Sequence, residues 1–131
     1  MTNPTHSDTR TYSAPDEKRT DKYLERMAQL LVELMIQALY GVEDSFVMKL
    51  AVSDGHSING TFQASRSVVT WQMNVEFYSD SMLPSRADFF DKDNPTVYPF
   101  KLVCTKSGKK ACTYEIRNKY RVCKTFIIKR S

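Results

Sequence analysis

Side chains able to act as nucleophiles, bases or metal ligands are few and scattered in this 131-residue sequence. The two histidines, His6 and His56, do not suit a Ser-His-Asp or Cys-His catalytic arrangement. The cysteines at positions 104, 112 and 123 lack Cys-x-x-Cys spacing, so we expect them to be reduced and packed, without a zinc site or a disulfide framework. None of the four glycines belongs to a phosphate-binding motif. We therefore predict a binding protein, not an enzyme, with no metal or cofactor.

Charge is divided unevenly along the chain. Residues 101–131 contain ten Lys or Arg and one Glu, a net charge of +9, so residues 1–100 carry −5 of the total of +4. Such a basic segment favours a polyanionic partner. It is equally explained as a solvated edge, since exposed strands often carry Lys that prevents aggregation. Tyr114 and Tyr120 stand among these cations and could stack on bases, although both also fit as ordinary strand residues.

The strongest local pattern surrounds the single tryptophan, Trp71. Apolar and polar residues alternate from Val69 to Tyr78, which predicts a β-strand with one buried face. A weaker alternation from Thr61 to Arg66 predicts a second piece, either paired with the first or continuous with it. Trp71 is then either a core anchor or an aromatic offered to a partner, and its residue type alone favours the core.

Apolar residues recur at helical spacing from about residue 21 to residue 40, between the candidate N-cap Thr20 and Gly41. The second half of this helix is apolar on nearly all sides, so we expect other helices to cover it. Because this chain offers too few of them, a partner or a second copy would supply the rest. The alternative is that the helix packs across this chain's own sheet.

The remaining segments are read from composition and alternation. Residues 1–19 contain no Leu, Ile, Val or Phe and are predicted to be disordered. Residues 42–54 fit a strand and a helix equally well, and residues 79–99 read as a long loop that could hold a helical turn near residues 86–90. A hairpin with a basic tip follows at Lys106-Ser107-Gly108-Lys109, and a last strand is predicted over 121–128. With no stretch of 18 apolar residues and a polar N-terminus, we expect an intracellular protein without a membrane span.

Four segments occur in an order that resembles the small (gamma) subunit of general transcription factor IIA. In that family a DELIQ-type helix is followed by an LLQFDKAIN-type segment, a strand with Gly, Arg, Trp and Val-Glu-Phe, and a VKIVACDGK-type strand. The corresponding positions here are Val32–Gln37, then Lys49–Asn59, then Gly60, Arg66, Trp71 and Val75-Glu76-Phe77, and finally Phe100–Cys104 with Gly108-Lys109.

The resemblance implies an α+β fold, in which an N-terminal helical hairpin forms half of an intersubunit four-helix bundle and is followed by half of an antiparallel β-barrel. It favours helix for residues 42–54. The chain would then consist of a disordered tail (1–19), the helical hairpin (20–56) and an antiparallel β domain (57–131) with a long loop (79–99) and a basic C-terminal hairpin. The large subunit of the same factor would be its heterodimer partner, contacted through Leu31, Leu34, Met35, Ala38 and Leu39.

The resemblance also implies a function in the nucleus, as a subunit of a general transcription initiation factor that binds the TATA-binding protein and stabilises its complex with promoter DNA. Phosphates of the DNA would be contacted by Lys106, Lys109 and Lys110. The alternative function is that of an autonomous basic β-rich nucleic-acid-binding protein, such as an RNA-binding or viral regulatory factor, which would use the basic hairpin without a helical partner. The implied interface with the TATA-binding protein comprises Phe62, Gln63, Ala64, Ser65, Arg66 and Trp71.

Overall fold

The computed structural model describes residues 9–16, 21–53, 57–78, 83–97 and 99–130. These residues form one helix and eight strands, which in chain order are β1 (Arg10–Ser13), α1 (Asp21–Tyr40), β2 (Phe46–Ser53), β3 (Ser57–Ala64), β4 (Trp71–Phe77), β5 (Pro84–Asp91), β6 (Phe100–Ser107), β7 (Ala111–Arg117) and β8 (Val122–Lys129). All eight strands belong to one sheet. Strands β2 to β8 are antiparallel neighbours in sequence order, and β1 lies parallel beside β8.

Helix α1 is buried by the sheet of its own chain. It packs against β2 and β3 at one end of the strand order and against β8 near the other, so the sheet curves around it. The exposed stripe contains Asp21, Glu25, Gln29 and Glu33, which recur every four residues as expected for one face of a helix. Gly41 ends the helix with φ 76°, and its N–H donates to the carbonyl of Gln37 at 2.9 Å. The predicted helix over residues 21–40 is therefore confirmed.

The predicted N-terminal helical hairpin is wrong. Residues 46–53 form strand β2, which pairs with β3 from Phe46 opposite Ala64 to Ser53 opposite Ser57. The pairing depends on Gly60, because a Cβ atom there would lie 2.5 Å from the backbone oxygen of Lys49. Local periodicity fitted both structures, and the resemblance favoured the wrong one.

The predicted four-helix bundle is wrong for the same reason, since α1 is the single helix of the described residues. Leu31, Leu34 and Met35, which were predicted to meet helices of a partner, are fully buried within this chain. Ala38 and Leu39 are half-buried and pack against the same core. A curved sheet covers the apolar helix on several sides, as neighbouring helices would in a bundle.

Two further predictions need correction. Residues 10–13, within the predicted disordered tail, form β1, and the predicted loop 79–99 contains β5 in place of a helical turn. The predicted β6–β7 hairpin and last strand are confirmed. Of the two arrangements left open for residues 61–78, the structure has the paired one, β3 beside β4. The proposed N-cap Thr20 lies outside the described residues. The predicted α+β fold is therefore wrong: the described residues are mostly β, with one helix and one eight-stranded sheet. The sheet is open, with β1 and β2 as its two edge strands, so the predicted barrel is not closed.

Aromatic contacts tie the middle of the sheet together on its inner face, the face toward α1. Trp71 on β4 stacks with Phe62 on β3 at 6.5 Å between ring centroids and meets Phe100 on β6 edge-on at 5.9 Å. Tyr114 on β7 stacks with Phe126 on β8 at 5.5 Å. Because successive side chains of a strand point to opposite faces, the residues between these anchors lie on the outer face of the sheet.

Candidate nucleic-acid interface

Strands β6, β7 and β8, with their turns, present nine of the chain's 19 Lys and Arg residues on one side. Leu102, Tyr114 and Phe126 point into the core, so the residues that alternate with them lie on the outer face. We call the outward cations of these strands and their two turns the basic face. Its members are Lys101, Lys106, Lys109, Lys110, Arg117, Lys119, Arg121, Lys129 and Arg130.

At one end of the basic face, the β6–β7 turn is fastened to the end of β8. The Gly108 N–H donates to the carbonyl of Ala111 at 2.9 Å and closes the turn. The Arg130 N–H donates to Lys110 O at 2.8 Å, while its guanidinium Nη1 donates to Gly108 O at 2.8 Å and to Lys109 O at 2.5 Å. These bonds hold the predicted phosphate-binding Lys109 and Lys110 beside the last strand.

The structure adds cations that sequence reasoning did not assign to this site. Lys129 lies opposite Ala111 in the β7–β8 register, and Arg130 follows it at the turn described above. A signal for both was present, because antiparallel pairing of the predicted last strand with the hairpin brings its C-terminal end back to the hairpin tip. Lys106, Lys109, Lys110 and Lys129 are all exposed.

The other end of the basic face lies at the β7–β8 turn. Lys101 and Arg117 are direct neighbours across β6 and β7, and both are exposed. Lys101 marks the border of the face, since it also lies opposite Asp88 on β5. Lys119 and Arg121 follow in the turn and are also exposed. With about 3.4 Å per residue, β7 separates the two turns by roughly 20 Å.

The charges of the basic face are poorly neutralised within the chain. Glu115 is the one acidic residue of positions 101–131, and Arg117 contacts it at 3.7 Å. Within the described part of the chain, no carboxylate lies within ion-pair distance of Lys106, Lys109, Lys110 or Lys129. Uncompensated like charges on one surface repel each other and concentrate counter-ions, which is the electrostatic signature of a polyanion site.

The residues predicted to contact the TATA-binding protein do not form one surface. Phe62, Ala64 and Trp71 are buried, and Trp71 Nε1–H donates to the hydroxyl of Tyr40 at 3.4 Å. The indole is thus covered by this chain's own helix and strands. Gln63 is half-buried and donates through Nε2 to the carbonyl of Ser67 at 2.9 Å.

The exposed members of that set, Ser65 and Arg66, are bonded to the segment that leads into β2. Ser65 and Ser45 share a hydrogen bond of 2.6 Å between their hydroxyls. Asp44 Oδ2 accepts from the Arg66 N–H at 2.8 Å and from Arg66 Nε at 3.2 Å. These bonds fasten the β3–β4 connection to the start of β2, so both side chains have a structural use.

The two tyrosines proposed for base stacking have different environments. Tyr114 is fully buried, and its hydroxyl donates to the carbonyl of Pro84 at 2.7 Å. Burial raises the pKa of that hydroxyl far above its usual range. Tyr120, in the β7–β8 turn, has 69% of its surface exposed. Only Tyr120 can therefore present its ring to a ligand.

The cysteines are free thiols, as predicted. Cys112 is buried, and its Sγ lies 3.7 Å from Ser107 Oγ, to which it donates. Burial raises the pKa of the Cys104 thiol, and the hydrogen bond with Cys104 raises the pKa of the Tyr78 hydroxyl. Both groups therefore keep their protons at neutral pH.

Two properties of the described residues concern metal ions and membranes. They contain no cluster of three or more His, Cys, Asp or Glu side chains placed to hold a metal ion. The helix of the described chain is not long and apolar enough to cross a membrane.

Comparison with known proteins found no matching family model, no similar curated protein and no similar solved structure. The resemblance to the transcription factor subunit therefore rests on the four sequence segments alone.

Proposed function

We propose that this protein binds nucleic acid through the phosphates of its ligand, using the basic face. The observation that carries the proposal is the group of exposed, unneutralised lysines Lys106, Lys109, Lys110 and Lys129 on one side of the sheet. Phosphate groups would neutralise these ammonium groups, which have no carboxylate within ion-pair distance among the described residues. The hairpin lysines Lys106, Lys109 and Lys110 keep the role that sequence reasoning gave them.

Binding of this kind is electrostatic and independent of base sequence. Each phosphate contact releases condensed counter-ions, so the logarithm of affinity falls with the logarithm of salt concentration by about 0.7 per contact on single strands and about 0.9 on duplex DNA. Four or five contacts from the basic face would give a slope of roughly −3 to −4.5. The same charges would steer association and make it faster at low salt.

The geometry favours an autonomous binding protein over a subunit of a heterodimer. A second subunit was inferred from an apolar helix with nothing to cover it, and α1 is covered by its own sheet. The α1 residues assigned to the large subunit lie in the core or against it. Binding to the TATA-binding protein, action at promoters and nuclear localisation stay predictions of the sequence resemblance.

The proposal is tested with a triple variant, Lys106→Ala, Lys109→Ala and Lys110→Ala. We expect it to bind a labelled oligonucleotide about 100-fold more weakly at about 100 mM salt and to lower the magnitude of the salt slope by about 2 for single strands. Fluorescence anisotropy over a salt series measures both quantities. The loss should be the same for oligonucleotides of different sequence.

A matched control removes the same charge outside the basic face, from β2, from β5 and from the turn that follows β5. Lys49, Arg86 and Lys92 are exposed and lie outside the basic face, and their replacement by Ala also lowers the net charge by three. This control should retain most of the affinity and the full salt slope. If both triple variants bind equally well, or if both lose affinity equally, the basic face is not the binding site.

A further inference from the structure

A cleft at the β7–β8 end of the basic face differs in chemistry from the rest of that surface. It has a volume of about 370 Å³ and is lined by Thr96, Val97, Pro99, Asn118, Lys119 and Tyr120. Apolar side chains and an aromatic ring thus adjoin a strongly cationic surface. Phosphate binding does not require apolar groups. The cleft therefore indicates a second kind of contact, with an apolar part of the ligand.

The backbone that carries the exposed ring of Tyr120 is fixed by hydrogen bonds within its turn. Asn118 Oδ1 accepts hydrogen bonds from the N–H groups of Tyr120 at 2.8 Å and of Arg121 at 2.9 Å. The Asn118 N–H donates to Arg121 O at 3.1 Å and closes the turn. A backbone fixed by three hydrogen bonds loses little conformational freedom when the ring binds a ligand.

Charge and apolar surface meet at this ring. The Lys119 ammonium lies 5.1 Å from the centroid of Tyr120, within cation–π distance. Across the cleft Val97 has 48% of its surface exposed, next to Pro99. A ligand that fits this site has a flat apolar part beside an anionic part, which describes a nucleotide.

We propose that the cleft binds one unpaired base of a single-stranded nucleic acid, stacked on Tyr120 and contacted by Val97 and Pro99. This inference rests on the proposed function and names its substrate class. Phosphates flanking the base would meet Lys119 and Arg121, and the strand would continue along the basic face toward the β6–β7 turn. A duplex keeps its bases stacked inside, so it cannot supply the base that the cleft accepts.

The test compares Tyr120→Ala and Tyr120→Phe with the wild-type chain. The probes are a single-stranded DNA, a single-stranded RNA of the same sequence, a duplex of the same length, and a single strand carrying abasic sites. We expect Tyr120→Ala to weaken single-strand binding about 10-fold, for DNA and RNA alike, because stacking uses the π-face that every base has. Tyr120→Phe keeps the ring and should bind like the wild type.

The duplex, the salt series and the abasic strand provide further tests of the inference. Duplex binding and the salt slope should be the same for Tyr120→Ala and the wild type, since no phosphate contact is removed. The abasic strand should bind the wild type as weakly as the intact strand binds Tyr120→Ala. Equal single-strand affinity of Tyr120→Ala and wild type would overturn the inference, while the lysine variant would still test the proposed function. A wild-type chain that binds none of the probes would overturn both.

Discussion

The two halves of the sheet both have an apolar inner face, but they differ in how the charges on the outer face are paired. Strands β3 to β5 and strands β6 to β8 both direct large apolar side chains toward α1. On the outer face of the first half, Arg86 contacts Glu76 at 3.7 Å and Asp88 at 3.2 Å, so cation and carboxylates neutralise each other. On the outer face of the second half, most lysines have no carboxylate in reach among the described residues.

The fold requires an apolar inner face in both halves, whereas it tolerates different charges on the outer face. A sheet wrapped around one helix needs an apolar inner face along its whole width, and both halves supply one. Charged outer residues such as Glu76 and Arg86 in the first half and Lys106 and Lys129 in the second are exposed, so their charge has little influence on folding. The proposed function assigns the repulsive charges of the second half to ligand binding, and variants on each side of the sheet test that assignment.

The largest effect is expected from a residue that joins the two halves. Trp71 contacts Phe62 in one half and Phe100 in the other, so Trp71→Ala should lower the free energy of unfolding by about 3 to 5 kcal/mol. Urea unfolding followed by circular dichroism measures it. Val68→Ala, at a side chain that is 93% exposed, is the control and should change stability by less than about 0.5 kcal/mol. A stable Trp71→Ala variant would mean that the halves do not share one core.

A smaller effect is expected from the buried hydroxyl of Tyr114. It links the halves through its hydrogen bond to Pro84 O on β5, and Tyr114→Phe leaves that carbonyl without its donor. We expect a loss of about 1 to 3 kcal/mol in the free energy of unfolding, with nucleic-acid affinity unchanged. Tyr120→Phe, the same chemical change on the same hairpin at an exposed ring, should leave stability unchanged. Equal stability of the two variants would contradict the structural role of the Tyr114 hydroxyl.

The smallest effect concerns stability at low pH, where protonation of a carboxylate that stabilises the fold lowers the free energy of unfolding. The pKa of Asp44 is lowered, chiefly by the hydrogen bond from the Arg66 backbone N–H and further by the Arg66 side chain and Ser45 N–H. Since the folded pKa lies below the unfolded one, the stabilisation is complete above about pH 4 and is lost as the pH falls through the folded value.

Asp44→Asn should therefore flatten the decline of stability below about pH 4, measured as urea midpoints at a series of pH values. The same replacement at exposed Asp93, whose carboxylate accepts none of these bonds, is the control. If the urea midpoints of the wild type and Asp44→Asn change with pH in the same way, Asp44 does not have the role assigned to it.

Local periodicity was sufficient for α1 and for the β6–β7 hairpin, whose patterns fit one structure only. It failed for β2, because Phe46, Met48 and Leu50 satisfy the period of a strand while neighbouring residues satisfy that of a helix. Pairing with β3 decides between them, and that contact is not local. Strand β5 was missed because Pro84, Ser85, Asp88 and Asp91 gave the segment the composition of a loop.

The candidate site was predictable in part for similar reasons. Lys106 and Lys109 stand at an obvious turn, so their exposure followed from the sequence. Tyr114 alternates in phase with Cys112 and Ile116, a pattern that already places it inside, whereas Tyr120 falls in the next turn. The cleft beside Tyr120 could not be predicted, because Val97 reaches it from a distant loop.

The packing of α1 against both early and late strands has a consequence for synthesis of the chain. Helix α1 is made before any of the antiparallel strands, yet part of its cover comes from β8, which ends at Lys129. Until β8 leaves the ribosome, apolar residues of α1 lack that cover and can recruit chaperones or other nascent chains. Contacts so far apart in sequence also slow folding, because a long loop must close before they form. We therefore expect the nascent protein to stay sensitive to aggregation and proteolysis until its last strand has been translated.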